Sequence, residues 1–170
     1  MTLLPLHDIA ANDVEALLDA AFGITRRMRT AYRLRENMMA IGAFSFAVVD
    51  NEEQLLGSIQ CWPVKITDNR GRDTPLTMVG PVAVSPDCQN IGIGKRLMAA
   101  MLSAADTHNS PAMMMIGDPE YYGRFGFTAE HTAGWQLPGP WEAHRLLLRN
   151  IGNQILPNSG MLAADFQYAL

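Results

Sequence analysis

The stretch most able to do chemistry runs Val82-Ala83-Val84-Ser85-Pro86-Asp87-Cys88-Gln89-Asn90-Ile91-Gly92-Ile93-Gly94-Lys95-Arg96-Leu97. It reads as a strand, a proline-bounded turn and a helix whose first turn is rich in glycine. The free backbone N–H groups of a helix N-terminus point outward together, and the helix dipole adds about half a positive charge. A phosphate suits that place. Gly92 and Gly94 have no side chains to hold an anion off the backbone, and Lys95 and Arg96 add cationic donors. Glycines also open helices for plain packing reasons, a second reading that the letters leave standing.

Two glycine-rich nucleotide motifs fail on spacing. A P-loop needs glycine five positions before the glycine of its Gly-Lys pair and serine or threonine after the lysine, where this chain has Gln89 and Arg96. A dinucleotide fingerprint needs a third glycine three positions after Gly94, and Leu97 stands there. Cys88 has no partnered histidine in the local sequence, so nucleophilic chemistry is not expected of it. His7, His108, His131 and His144 have no ligand-like spacing to one another or to Cys61 and Cys88, so no metal site is expected.

Val84, Pro86, Gln89, Gly92 and Gly94 match in spacing the central motif of the GNAT superfamily of N-acetyltransferases, which this sequence resembles. A second segment, Gly117-Asp118-Pro119-Glu120-Tyr121-Tyr122-Gly123-Arg124-Phe125-Gly126-Phe127, looks like that family's tyrosine, three residues, glycine-phenylalanine element. Its wording, with Leu137-Pro138-Gly139-Pro140-Trp141, is similar to the YhbS-like branch. The resemblance spans roughly Phe44 to Leu148.

It implies an α/β fold with a mixed, mostly antiparallel central sheet flanked by helices, splayed beside the strand Leu76 to Val84. Acetyl-CoA would be the cosubstrate, with pantetheine along Val82, Ala83 and Val84 and the pyrophosphate on the amides from Gln89 through Asn90, Ile91, Gly92, Ile93 and Gly94 to Lys95, near Arg96. The acceptor amine would attack the thioester directly, and the N–H of Ala83 or Val84 would face the oxyanion. Tyr122 would protonate the departing thiolate, as a phenol with pKa ~10 can at neutral pH. Many relatives carry a glutamate on the central strand, but Thr77, Met78, Val79, Gly80 and Pro81 include no carboxylate. Glu36, Glu120, Glu130 and Asp118 are the remaining candidates for a base. The missing carboxylate keeps a noncatalytic acyl-CoA-binding module as the alternative.

These stretches need a scaffold. The 170 residues suit one domain, residues 1–170, and 48% apolar with 18% charged residues suits a folded chain. A net charge of −4 argues against general nucleic-acid binding. No run approaches ~20 uninterrupted apolar residues and no leader is evident, so a cytoplasmic protein is expected. A homodimer is compatible with the sequence, which does not specify one.

Val14, Leu17, Leu18, Ala21 and Phe22 recur at helical spacing after a cap at Asn12 or Asp13. Thr25 to Asn37, with Arg26, Arg27, Arg29, Arg33 and Arg35, reads as a second helix, its basic face either solvated or walling the acceptor site. Phe44 to Val49 and Gln54 to Trp62 read as a hairpin, and Leu76 to Val84 as a third strand. Leu97, Met98, Met101, Leu102 and Ala105 share one face of a helix over Ile93 to Ala105. Ala112 to Ile116 is a short strand, a short helix starts at Asp118-Pro119, and Trp135 to Leu137 and Arg145 to Leu148 are late strands. The tail over 150–170 gives no clear signal. This order suggests a mixed α/β sheet.

Overall fold

The computed structural model describes residues 1–167. They group into two compact units: Met1–Met28, Ala40–Cys61 and Gly80–Asn109 in the first, and Arg29–Met39, Trp62–Val79 and the chain from Ser110 onward in the second.

In the first unit, β1 (Thr2–Pro5) pairs antiparallel with β2 (Phe46–Val49), and β2 pairs antiparallel with the start of β3 (Leu55–Thr67). That is the expected hairpin. Its turn is held by Asp50, whose Oδ1 accepts from the amides of Glu52 at 2.8 Å and Gln54 at 2.9 Å. Helix α1 (Ala11–Phe22) buries Val14, Leu17 and Leu18 in one cluster with Leu6, Ala47 and Ala83. The cap differs from expectation: the first turn begins after Ala10, without a side-chain cap, and Asp13 lies inside that turn, where its charge complements the dipole.

The arginine-rich segment is not one helix. A 3₁₀ turn covers Ile24–Met28, Arg29 is extended, and α2 is only Thr30–Arg33. The physical cause lies in tertiary bonds that override helical propensity. In the first unit Arg26 is buried and donates Nη2 to Glu15 Oε2 at 2.5 Å and Nε to Asp19 Oδ1 at 2.8 Å, tying the turn to α1. In the second, Thr30 Oγ1 donates to Pro140 O at 2.5 Å and Arg33 Nη1 to Pro138 O at 2.6 Å. The basic face is thus partly interior.

The second unit holds the parallel contact between β4 (Asp73–Val84) and β5 (Met113–Ile116), with Thr77 opposite Met113 and Met78 opposite Met114. That ladder ends there, although β4 continues to Val84. Strand β5 also pairs antiparallel with β7 (Leu146–Arg149), and Met113, Met114 and Met115 are core residues. The tail, which carries no clear signal in its letters, holds a strand. Strand β8 (Ser159–Ala164) pairs antiparallel with the far half of β3 and parallel with β6 (Gly134–Gln136). The end of the tail, 168–170, lies outside the described residues. Pairings other than β4 with β5 and β6 with β8 are antiparallel among those described, giving a mixed, mostly antiparallel α/β fold. Among the described residues no helix is long and apolar enough to cross a membrane.

Candidate active site

The glycine-rich loop lies in the first unit. After β4, the amide of Ser85 donates to Leu56 O at 2.8 Å, which fixes where the chain leaves the sheet. A 3₁₀ turn over Pro86–Cys88 follows, closed by Cys88 N to Ser85 O at 2.9 Å. The chain then reverses through two left-handed residues, Asn90 at φ 64° and Gly92 at φ 91°. Helix α3 (Ile93–Thr107) begins at once, with Gly92 as its N-cap.

A glycine cap has no side chain to bond to the first turn, and the first intrahelical bond runs from Arg96 N to Gly92 O at 3.0 Å. The amides of Ile93, Gly94 and Lys95 precede that bond, so they are the donors a helix start leaves for an anion. Nothing lies within 4 Å of where a Gly92 Cβ would stand, so the approach is open. Beneath the loop, Ile93 is buried and Gly57 makes room for it: a Cβ at Gly57 would fall 2.6 Å from Ile93 Cγ2 and 3.0 Å from Ala83 O. Sequence reading missed Gly57, whose position within a strand was the available sign of a close approach.

The side chains of the loop divide. Gln89, Asn90, Ile91 and Lys95 are exposed, whereas Arg96 directs Nη1 to Met1 O at 3.0 Å. Ala83 is buried and Val82 and Val84 are half-buried on β4. Cys88 is half-buried and free, and Cys61 is fully buried, which pushes its thiol pKa up and keeps it an unreactive neutral group.

Tyr122 belongs to the second unit. It ends α4 (Pro119–Tyr122), whose start is capped by Asp118 Oδ1 accepting from Glu120 N at 3.0 Å. Pro119 occupies the first helical position, as its fixed φ favours. A 3₁₀ turn over Gly123–Phe125 and left-handed Gly126 then turn the chain away. The Tyr122 ring meets Tyr121 edge-on at 4.8 Å between centroids and Phe125 at 6.5 Å. Burial, then the nearby Tyr121 and Asp118, push its pKa up to about 12, with Arg145 acting the other way. The phenol is therefore held protonated throughout the neutral range.

Of the candidate bases, Asp118 is engaged as the α4 cap, and Glu36, Glu120 and Glu130 are exposed. Thr30 and Arg33 meet the Leu137–Trp141 connection, tying the arginine-rich segment to it. Arg35 stacks on Tyr32 at 3.7 Å and on Trp62 at 4.9 Å from the ring centroids, so its place is an aromatic clasp.

The chain is 28% identical over 144 residues to an uncharacterized N-acetyltransferase, YhbS, of Escherichia coli strain K12, covering 81% of this chain and 83% of that protein. Its fold is similar to that of Escherichia coli YhbS, solved in complex with CoA, with a TM-score of 0.70 at 22% identity over 91% of this chain and 84% of that one. It is also similar to a GNAT family acetyltransferase from Brucella melitensis solved with acetyl-CoA, with a TM-score of 0.62 at 22% identity over 97% and 96% of the two chains. Residues 5–129 match the acetyltransferase (GNAT) domain, which is most of the sequence, and the chain belongs to that family.

Proposed function

We propose that this acetyltransferase moves the acetyl group of acetyl-CoA to a primary amine of a small molecule, an amino acid or a peptide, in the cytoplasm. The observation that carries the coenzyme reading is the start of α3, where Gly92 opens the helix in a left-handed conformation with free space above it. Amides from Gln89 to Lys95 then bind the pyrophosphate, with Lys95 adding charge at the surface. Arg96 contributes less, because its guanidinium already serves Met1 O. Val82, Ala83 and Val84 flank the pantetheine.

The amine nitrogen bonds to the thioester carbonyl carbon, and the C–S bond breaks with its electron pair on sulfur. Tyr122 gives that thiolate its proton and recovers one from solvent, while the attacking nitrogen loses its proton to water. The raised pKa supports the donor role, since the group must arrive at the reaction protonated. A backbone N–H of Ala83 or Val84 faces the developing oxyanion. No carboxylate stands among Thr77 to Pro81, so proton removal from the amine falls to water rather than to a strand-borne base.

The test is release of free thiol from acetyl-CoA on addition of a defined pool of amino acids, amino-acid amides and aliphatic polyamines. Tyr122→Phe should lower kcat by roughly 100-fold or more with KM for acetyl-CoA little changed. An undiminished kcat would remove Tyr122 from the chemistry.

A further inference from the structure

Gly117 stands one residue beyond β5 and is buried. A Cβ built there would fall 2.7 Å from Tyr122 Cδ2 and 2.8 Å from Cε2, far inside van der Waals contact, and 3.1 Å from Met115 Cε. The Tyr122 ring thus lies directly on the backbone of Gly117, a seat that no other residue type provides. The same residue is gripped by Arg145: Gly117 N donates to Arg145 O at 2.9 Å, and Arg145 Nε donates to Gly117 O at 3.4 Å. One residue thereby anchors both polar groups of the backbone on which the ring rests. Phe127 N, donating to Tyr122 O at 3.4 Å, holds the ring's own backbone from the other end.

We infer that Gly117 and Arg145 are positioning residues for Tyr122: the glycine supplies the flat seat that sets the phenol's direction, and Arg145 fixes the seat. The inference rests on the reading of Tyr122 as the thiolate's proton donor. The groups that act electrostatically on the phenol fit this arrangement. Tyr121 and Asp118 of its own element oppose ionisation, and Arg145, from the turn before β7, favours it. The glycine's φ is not in the left-handed region, so Gly117→Ala tests the contact with the ring rather than the backbone.

The experiment labels the tyrosines at Cζ with ¹³C, assigns the Tyr122 signal by its loss in Tyr122→Phe, and records it with and without coenzyme A. In Gly117→Ala, the signal of the free protein should be displaced from its wild-type position and its response to coenzyme A lost, while thermal shift still detects coenzyme A binding. Arg145→Met, a change at an exposed side chain, should displace it in the same direction by less, with Arg145→Lys restoring it partly. Identical Tyr122 signals in the wild-type, Gly117→Ala and Arg145→Met proteins would overturn the inference. If the wild-type signal itself ignores bound coenzyme A, the donor reading fails, and the free-protein signal of Gly117→Ala still decides whether the glycine sets the ring. A Gly117→Ala protein too unstable to record leaves the decision to the Arg145 pair.

Discussion

The amide of Arg96 bonds to the carbonyl of Gly92 at 3.0 Å, while the Arg96 guanidinium turns back to Met1 O at the same distance. The first turn of α3 is thus closed by its backbone alone, and the cation next to it is already occupied.

This relationship separates the loop's glycines from its arginine. Gly92→Val places a β-branched residue at φ 91°, a strain of about 1–3 kcal/mol, and should weaken coenzyme A binding at least roughly tenfold. Gly94→Trp should abolish binding by blocking the approach to the backbone. Arg96→Ala should change the dissociation constant by less than about threefold, the energy of a surface contact. Isothermal titration with coenzyme A checks all three.

The raised pKa of Tyr122 makes a prediction about stability in alkali. Its folded value, about 12, lies above the ordinary 10, so the unfolded chain releases this proton first. The contribution is whole below pH 10 and is lost as the pH rises toward 12. Denaturant midpoints of the wild type and Tyr122→Phe should therefore converge over that window, and a constant difference between pH 9 and 12 would contradict the assignment.

Acid should act on the other unit. Burial alone would raise the Glu15 pKa, but the hydrogen bonds and charges of Arg26 and Arg27 outweigh it and hold the group below its ordinary 4.5. Its contribution is whole above that value and is lost as the pH falls through the folded pKa. Replacing Glu15 and Asp19 together by alanine strips buried Arg26 of two carboxylates and should cost about 2–3 kcal/mol at neutral pH. That is less than a fully buried pair because both acids are half-exposed. The difference from wild type should shrink below pH 4.5, as read by urea denaturation.

Gly57→Ala should destabilise by about 1–3 kcal/mol, because its methyl would enter the space of Ile93 Cγ2 and approach Ala83 O and Leu97. Adding Ile93→Ala should recover part of the loss. The thermal midpoints of the two variants measure this.

What could be read in the sequence depended on whether local pattern or distant pairing decides the structure. The periodic face of α3, the Phe44–Trp62 hairpin and the loop from Val82 to Lys95 are local signals, and each lies where its letters point. Strand β1 is four residues long and ends on proline, and β8, Ser-Gly-Met-Leu-Ala-Ala, has little strand propensity of its own. Strand β1 exists through pairing with residues more than forty positions away, and β8 through pairing with β3 and β6, neither of them its neighbour in chain order. The arginine-rich segment misled for a related reason. Its helical pattern is genuine, but Glu15 and Asp19 draw Arg26 inward while Pro138 and Pro140 hold α2 elsewhere. For the proposed site, motif spacing alone points to Tyr122 and the glycines at the start of α3. The seat at Gly117 and the grip of Arg145 needed the coordinates, because no spacing rule connects residues 117 and 145.

The most direct test of the central claim is thermal unfolding of the purified protein in the presence of acetyl-CoA, coenzyme A, ATP or NAD. A ligand at ~100 times its dissociation constant stabilises by ~2.7 kcal/mol, which is several degrees for a chain of this size. The account predicts a rise with acetyl-CoA and coenzyme A and none with NAD or ATP, and a rise lost in Gly94→Trp. No response to either coenzyme A species, or an equal response in Gly94→Trp, would contradict the assignment of the loop from Gln89 to Lys95 as the coenzyme site.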